Sequence, residues 1–194
     1  LLHRYYCHRQ IIVPKWVEAI GLAMLMIAVI RTPIGWIASH RMHHAYADTE
    51  HDPHSPIHLG IWKVLTTTWA IPKIPLKFAK DLYRNPMLVF CHNHWLKIWI
   101  LVWIVTILIS PKLFVAFALI PFIHAKVGFG LLNTVCHYPR PANHPWLNIL
   151  IAGEGYHLNH HQNSRQLRLS KWDSGGWIAE QCIRIGIFKS THGN

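Results

Sequence analysis

Acidic side chains are scarce in this sequence. Eight Asp and Glu stand against nineteen Lys and Arg, and charged residues of both signs make up only 14% of its 194 positions. The formal charge of +11 would suit nucleic acid, anionic lipid headgroups or acidic substrates. No Lys/Arg-rich run is present to track a phosphate backbone, so nucleic acid is not expected as a partner. Bases dispersed among apolar residues fit the cytoplasmic face of a membrane instead. Cys7, Cys91, Cys136 and Cys182 form no CxxC pair, which argues against a structural zinc site or a disulfide framework and fits a reducing compartment. An initiator methionine, a basic leader and a small-residue cleavage site are also missing ahead of the first motif. We therefore expect a chain trimmed of an N-terminal region. Residues 17–30 are apolar, but at about 14 residues they fall short of the roughly 20 needed to cross a bilayer. They should lie at the membrane interface or under the protein.

Hydrophobic residues, in contrast, make up 52% of the chain, and ten positions are tryptophan. One domain in contact with a membrane is the natural reading. Residues 95–110 and 113–132 are apolar stretches joined by Pro111-Lys112. As helices of roughly 24 and 30 Å they make a transmembrane hairpin over about residues 95–132. Two spans return the chain to its starting side, and Lys112 is the single base at the far turn, as the positive-inside tendency requires. Residues 60–90 read as an amphipathic connector at headgroup level, with Trp62 and Trp69 among lysines. Arg9, Lys15 and Lys73 read as interfacial anchors. Trp95, Trp99 and Trp103 recur every four residues, which predicts a lipid-facing stripe. Residues 172–188 read as an amphipathic cap helix whose apolar face covers the segments bearing the histidine motifs. The expected fold is an all-α membrane protein, a transmembrane helical hairpin with a cytoplasmic helical cap.

The histidines are patterned. GEGYHLNHH at 153–161 places His157, His160 and His161 at i, i+3 and i+4, within reach of one metal ion if the segment is helical. His40, His43 and His44 repeat the HxxHH spacing, and His3 and His8 form an HxxxxH box. Asn133 and His137, at i and i+4, share a face where the second span ends. With His137 the boxes supply nine candidate ligands, too many for one ion, so two metals are implied. Neutral imidazole suits zinc, copper, iron and nickel alike. Metal-bound imidazoles usually donate their second N–H to a carboxylate, which makes Asp48, Glu50 and Asp52, in the loop after the second box, and Glu154, before the third, candidate partners. His124 has no box-like neighbour and is not expected to be a ligand.

HRYYCH, WIASHRMHHAYADTEHDPHSP, NTVCH and GEGYHLNHH, in this order around an apolar hairpin, resemble the membrane-bound acyl desaturases and most closely their first-desaturation, delta-9 type branch. The resemblance covers essentially the whole chain, as a single desaturase domain lacking two N-terminal spans. It implies two iron ions held by His3, His8, His40, His43, His44, His137, His157, His160 and His161, with Asn133 as an outer or water-mediated ligand. It identifies no catalytic side chain beyond these. It further implies O2 as co-substrate, a fatty acyl substrate in the membrane, and an electron donor such as ferredoxin or cytochrome b5. Loss of the preceding spans leaves His3 without support. Ser39 stands where animal acyl-CoA members carry aspartate, a likeness to cyanobacterial and plant-type members that argues away from a CoA thioester. A hydroxylase or ketolase on the same metal scaffold, and an inactive metal-binding fragment, are the alternative readings.

Overall fold

A computed structural model describes residues 1–28, 31–68 and 73–191 of the chain. Residues 29–30 of the first apolar segment, and Trp69 of the connector, lie outside the described residues. The chain opens with a π-helical turn, Leu2–Cys7, followed by α1 (Lys15–Ile27) and α2 (Pro33–Tyr46). Short helices α3 (Pro56–Leu59) and α4 (Ile61–Leu65) lead through two 3₁₀ turns to α5 (Pro86–Ile109). The return limb comprises α6 (Pro111–Phe114), a second π-helical turn (Val115–Leu119) and α7 (Ile120–Val135). Beyond it come α8 (Asn148–Ile151), α9 (His157–Gln162) and α10 (Ser174–Arg184). The described strands, β1 (Ile11–Ile12) and β2 (Lys189–Ser190), form one antiparallel pair that tethers the C-terminal end beside the first box.

Four helices start in the same way. Thr32, Ser55, Asn85 and Ser110 each accept a backbone N–H through the side chain, and each is followed by a proline at the first helical position. Such a residue satisfies a donor left orphaned by the helix start, and proline there loses no hydrogen bond. The Asn85-Pro86 start corrects the expected hairpin. α5 begins nine residues before position 95, takes in the end of the supposed connector, and runs 24 residues, or about 36 Å. Pro86–Ile109 and Pro111–Val135 are both long and apolar enough to cross a membrane, with mean hydropathies of 1.5 and 1.8, and little of either is buried inside the protein.

The core lies at the end of this hairpin where the chain enters and leaves it. Leu22 and Met26 of α1, Ile34, Ile37 and Ala38 of α2, Leu82, and Leu88 and Cys91 of α5 form one buried cluster. α1 turns Trp16, Ile20 and Met24 outward from it, leaving that helix apolar on both faces. Glu18 on its inner face is fully buried and bonded by Lys15, Tyr6 and Asn85. The tryptophan stripe, expected to face outward, packs inward. Trp95 packs on the core, and Trp99 and Trp103 meet Phe122 across the hairpin at ring separations of 5.5 and 5.6 Å. α10 departs from expectation as well. It buries Gly176 and Ala179 while Trp177 and Ile178 are exposed, so large apolar side chains on it point outward and its small residues face the protein.

α4 lies against α7 at Gly130, where a Cβ would collide with the Leu65 carbonyl. At Gly128 the nearest atom to such a Cβ is a methyl of Ile151, 3.0 Å away, which can rotate. Gly130→Ala should therefore destabilise the protein by about 1–3 kcal/mol and lower its thermal midpoint in detergent, with Gly128→Ala the milder change. Equal midpoints for the two variants would show that α4 does not depend on this approach.

Candidate metal centre

The nine box and span histidines converge and then divide. His3, His8, His40, His44 and His160 form one group, and His43, His137, His157 and His161 form the other; within each, the ligand atoms lie within 4.8 Å of one another. The division runs through the boxes. On an α-helix, residues i and i+4 diverge by about 40°, whereas i+3 lies about 60° to the other side. His40 and His44 accordingly serve the first group and His43 the second. In α9 the arrangement is exchanged, with His157 and His161 in the second group and His160 in the first. Each HxxHH box thus lies between the two groups and contributes to both.

The HxxxxH box needs a different backbone. Five residues of α-helix would set His3 and His8 about 140° apart. The π-helical turn instead bonds His8 N–H to the His3 carbonyl at 3.1 Å and brings their rings to 4.7 Å. His137 arrives just past the C-terminal end of α7, fully buried. Asn133, one turn earlier, is also buried, its amide donating to the Phe129 carbonyl at 2.7 Å.

The ring nitrogens are aimed inward. Nε2 to Nε2 separations are 3.1 Å for His3–His160, 2.9 Å for His8–His40 and 2.9 Å for His44–His160. In the second group they are 3.2 Å for His43–His161, 2.8 Å for His137–His157 and 3.1 Å for His157–His161. Nitrogens about 2.1 Å from a shared ion would stand roughly 3–3.4 Å apart, so the donor sets fit metal ions. Three carboxylates approach the rings from outside: Asp52 at 2.8 Å from His43 Nδ1, Asp48 at 3.0 Å from His137 Nδ1 and Glu154 at 2.9 Å from His3 Nδ1. Asp52 and Asp48 accept from Nδ1 of His43 and His137, which leaves their Nε2 lone pairs free for a ligand, and Glu154 makes a close ionic contact to His3. Three negative charges would also nearly balance two divalent cations. Glu50 takes no part, being exposed and 3.8 Å from His51.

Local structure explains these placements. Asp48 adopts φ 61° after the end of α2, turning the loop so that Asp52 accepts the Asp48 and His54 N–H groups while meeting His43. Gly153 and Gly155 flank Glu154 because a Cβ at the former would collide with Asp173, and one at the latter with the His144 carbonyl. Trp36 stacks on His40 at 5.2 Å. His3, expected to lack support, has it from Glu154 and from its neighbour Arg4, which is paired with Asp173. Arg41, inside the second box, donates to the Tyr6 carbonyl at 2.6 Å and to Asp81 at 2.7 Å, tying α2 to the first box. Its hydrogen bonds draw Asp81 down to about 2.

Burial, reinforced by neighbouring imidazoles, holds His40, His43 and His157 neutral well below the usual histidine range. The same causes lower His8 to about 2 and His161 to about 4. Burial works against the Glu154 carboxylate, but His3 and Arg4 hold it below its ordinary value. Two participants were not anticipated. His54 is buried and stacked on His43 at 4.3 Å; its signal was the histidine two residues after Asp52. Arg31 lines an apolar cavity of about 620 Å³ that reaches His3 and Glu154 past Leu25, Phe129, Leu132 and Ile151. No residue spacing announced that cavity.

Comparison with known proteins gives this geometry a context. No protein-family profile matches the chain. It is 28% identical to the sn-1 stearoyl-lipid 9-desaturase of Anabaena variabilis, over 94% of this chain and 73% of that protein. It is 29% identical to delta-9 acyl-lipid desaturase 1 of Arabidopsis thaliana, over 95% of this chain and 67% of that one. The acyl-CoA C20 delta5-desaturase of Anemone leveillei is 30% identical over 82% of this chain and 56% of its own length. The chain thus spans between about half and three-quarters of the curated relatives it matches.

Asp52→Asn should weaken metal binding by about 10–100-fold, while Glu50→Ala leaves it unchanged; metal titration of the purified protein distinguishes them, and equal effects would remove Asp52 from its assigned place. A second expectation concerns the metal-free protein. Unfolded histidines take up protons below their ordinary value of 6.5, whereas folded His161 resists until about 4 and His8 until about 2. The unfolded state binds more protons in that window, so stability should fall as pH drops from 6.5 and be recovered above it. Thermal unfolding with chelator at pH 7.5 and pH 5 measures the difference; a higher midpoint at pH 5 would contradict the assignment.

Proposed function

We propose that this chain carries the metal-binding part of an oxygen-dependent acyl desaturase that introduces a cis double bond, at the delta-9 position, into a saturated fatty acyl chain held by a membrane lipid. The observation that carries the reading is the division of nine inward-facing imidazoles into groups of five and four beside an apolar cavity. Similarity to proteins named acyl-lipid desaturases supports the same conclusion. Ser39, in the position that carries aspartate in animal acyl-CoA members, favours the lipid carrier.

In this reading His3, His8, His40, His44 and His160 would hold one iron, and His43, His137, His157 and His161 would hold the other, with Asn133 as an outer or water-mediated ligand. Bound iron would supply the oxygen activation that removal of hydrogen from unactivated methylenes demands, which no side-chain acid or base provides. Overall, two hydrogens leave adjacent carbons, and O2 is reduced to two waters with two further electrons and protons from an external donor such as ferredoxin or cytochrome b5.

The protein's part is binding and orientation. The cavity, within the roughly 300–1,000 Å³ range of ligand sites, offers the acyl chain apolar walls that lead toward His3. Trp36 and Phe129 stiffen its wall near the centres. Asp48 and Asp52 keep the Nδ1 protons of His137 and His43 turned outward. Pro86–Ile109 and Pro111–Val135 cross the bilayer as a pair, with Lys112 at the far turn and the imidazoles at the cytoplasmic surface.

Fatty-acid profiling of a host expressing the complete reading frame tests the activity. New monounsaturated chains are expected; hydroxylated chains instead would assign the scaffold to hydroxylation. His160→Ala should abolish product and lower bound iron, whereas His124→Ala, at the cavity wall, and His92→Ala should leave bound iron unchanged. Equal losses in all three variants would refute the ligand assignment.

A further inference from the structure

The acids that orient His43 and His137 come from a single short loop, but His3 depends on a partner 151 residues away. Its Nδ1 meets Glu154 at 2.9 Å, and its backbone lies in a π-helical turn, a geometry that persists only where surroundings enforce it. One buried carboxylate touches both halves of this arrangement.

Asp173 is fully buried. Its oxygens accept from Arg4 Nη2 at 3.0 and 2.9 Å, from Leu169 N–H at 2.9 Å and from Gly176 N–H at 2.7 Å. Arg4 is the residue after His3. Its other nitrogen donates to the Leu167 carbonyl and to Gln10, and Nη2 stands 3.8 Å from Glu154. Gln10 continues the connection by donating to the Ser164 and Gln166 carbonyls at 2.8 and 3.1 Å. On its other side Asp173 packs against Gly153, the residue before Glu154, so closely that any Cβ there would strike the carboxylate. The neighbours of both members of the His3–Glu154 pair therefore rest on the same group.

We propose that Asp173, acting through Arg4, is a positioning residue that sets the register of the His3–Glu154 pair and so makes the five-histidine centre, but not the four-histidine centre, depend on the C-terminal segment. The proposal rests on the two-centre reading above. Its physical basis is that the Arg4 fork is held at both tips, Nη2 on the two Asp173 oxygens and Nη1 on the Leu167 carbonyl and Gln10, so that the plane of the guanidinium is fixed as well as its charge. Asp173 is already held by two backbone N–H groups, so it presents Arg4 with a fixed target. Among the described residues, the carboxylates that meet ring nitrogens of the four-histidine group are Asp52, at His43, and Asp48, at His137.

The test uses the full chain in detergent, titrated anaerobically with Fe(II), with metal per chain measured and imidazole exposure mapped by diethylpyrocarbonate modification and mass spectrometry. Arg4→Gln removes the fork while leaving the α10 cap intact; Asp173→Asn removes the charge. Glu180→Ala, which breaks only the Arg168–Glu180 pair, is the control for general loosening of the C-terminal segment. Wild type and control should take up two irons per chain. Arg4→Gln and Asp173→Asn should bind one iron as wild type does and the second about 10–100-fold more weakly. His3 and His8 should become reactive while His137 and His157 stay protected. Arg4→Lys, which retains charge without the fork, should weaken only the second iron, and does so even if the other variants fold poorly. Two tightly held irons in all three variants would overturn the proposal, as would parallel loss of both with His137 and His157 exposed. Wild type that binds no iron would instead sink the two-centre reading, and this inference with it.

Discussion

Nine imidazoles in one buried region must keep lone pairs pointed inward and protons pointed out, and the rest of the structure follows from how that is arranged. Each inward Nε2 needs an outward Nδ1–H, and a buried N–H needs an acceptor. Asp48 and Asp52 provide two such acceptors, and Glu154 lies against His3. Burial keeps His8, His40, His43, His44, His157, His160 and His161 neutral, since a charged imidazole would be costly among so many neighbours. The site is thus prepared for cations by excluding protons, and the folded chain accepts a local cost for it. The loop after α2, the glycines around Glu154 and the clamp on Arg4 all serve this orientation.

Helical geometry decides how the ligands are shared. The i, i+4 pair of one HxxHH box and the i+3 residue of the other meet on each side, so α2 and α9 are related by an approximate exchange of roles. His3 and His8 complete one side through a π-helical turn, and His137 completes the other from the end of α7. No segment carries a whole centre. A displacement of any one segment therefore disturbs its partners, which is why Arg41, reaching from the second box to the backbone of the first, matters to both.

Around this polar centre the protein is apolar outward as well as inward. Two long helices expose most of their surface, and α1 and α10 turn Trp, Ile and Met side chains away from the core. The tryptophans of α5 look inward, because the return limb brings Phe114 and Phe122 against them. The cavity that reaches His3 draws its wall from α1, α2, α7 and α8, elements far apart in the chain.

Spacing alone disclosed the boxes, a number of imidazoles beyond what one ion takes, and the kind of acid that stands behind the rings. A serine, threonine or asparagine before proline is a local signal of the same kind, and four helices start at one. These features are local, since caps, helical phase and motif spacing are properties of neighbouring residues. The rest was decided by tertiary structure. Glu50 and Asp52 are indistinguishable as sequence, and only the turn at Asp48 selects the second. Which histidine serves which centre depends on two helices meeting with opposed phases. The partnership of Arg4 with Asp173, and the cavity beside His3, arise from contacts between distant segments whose pairing no periodicity records.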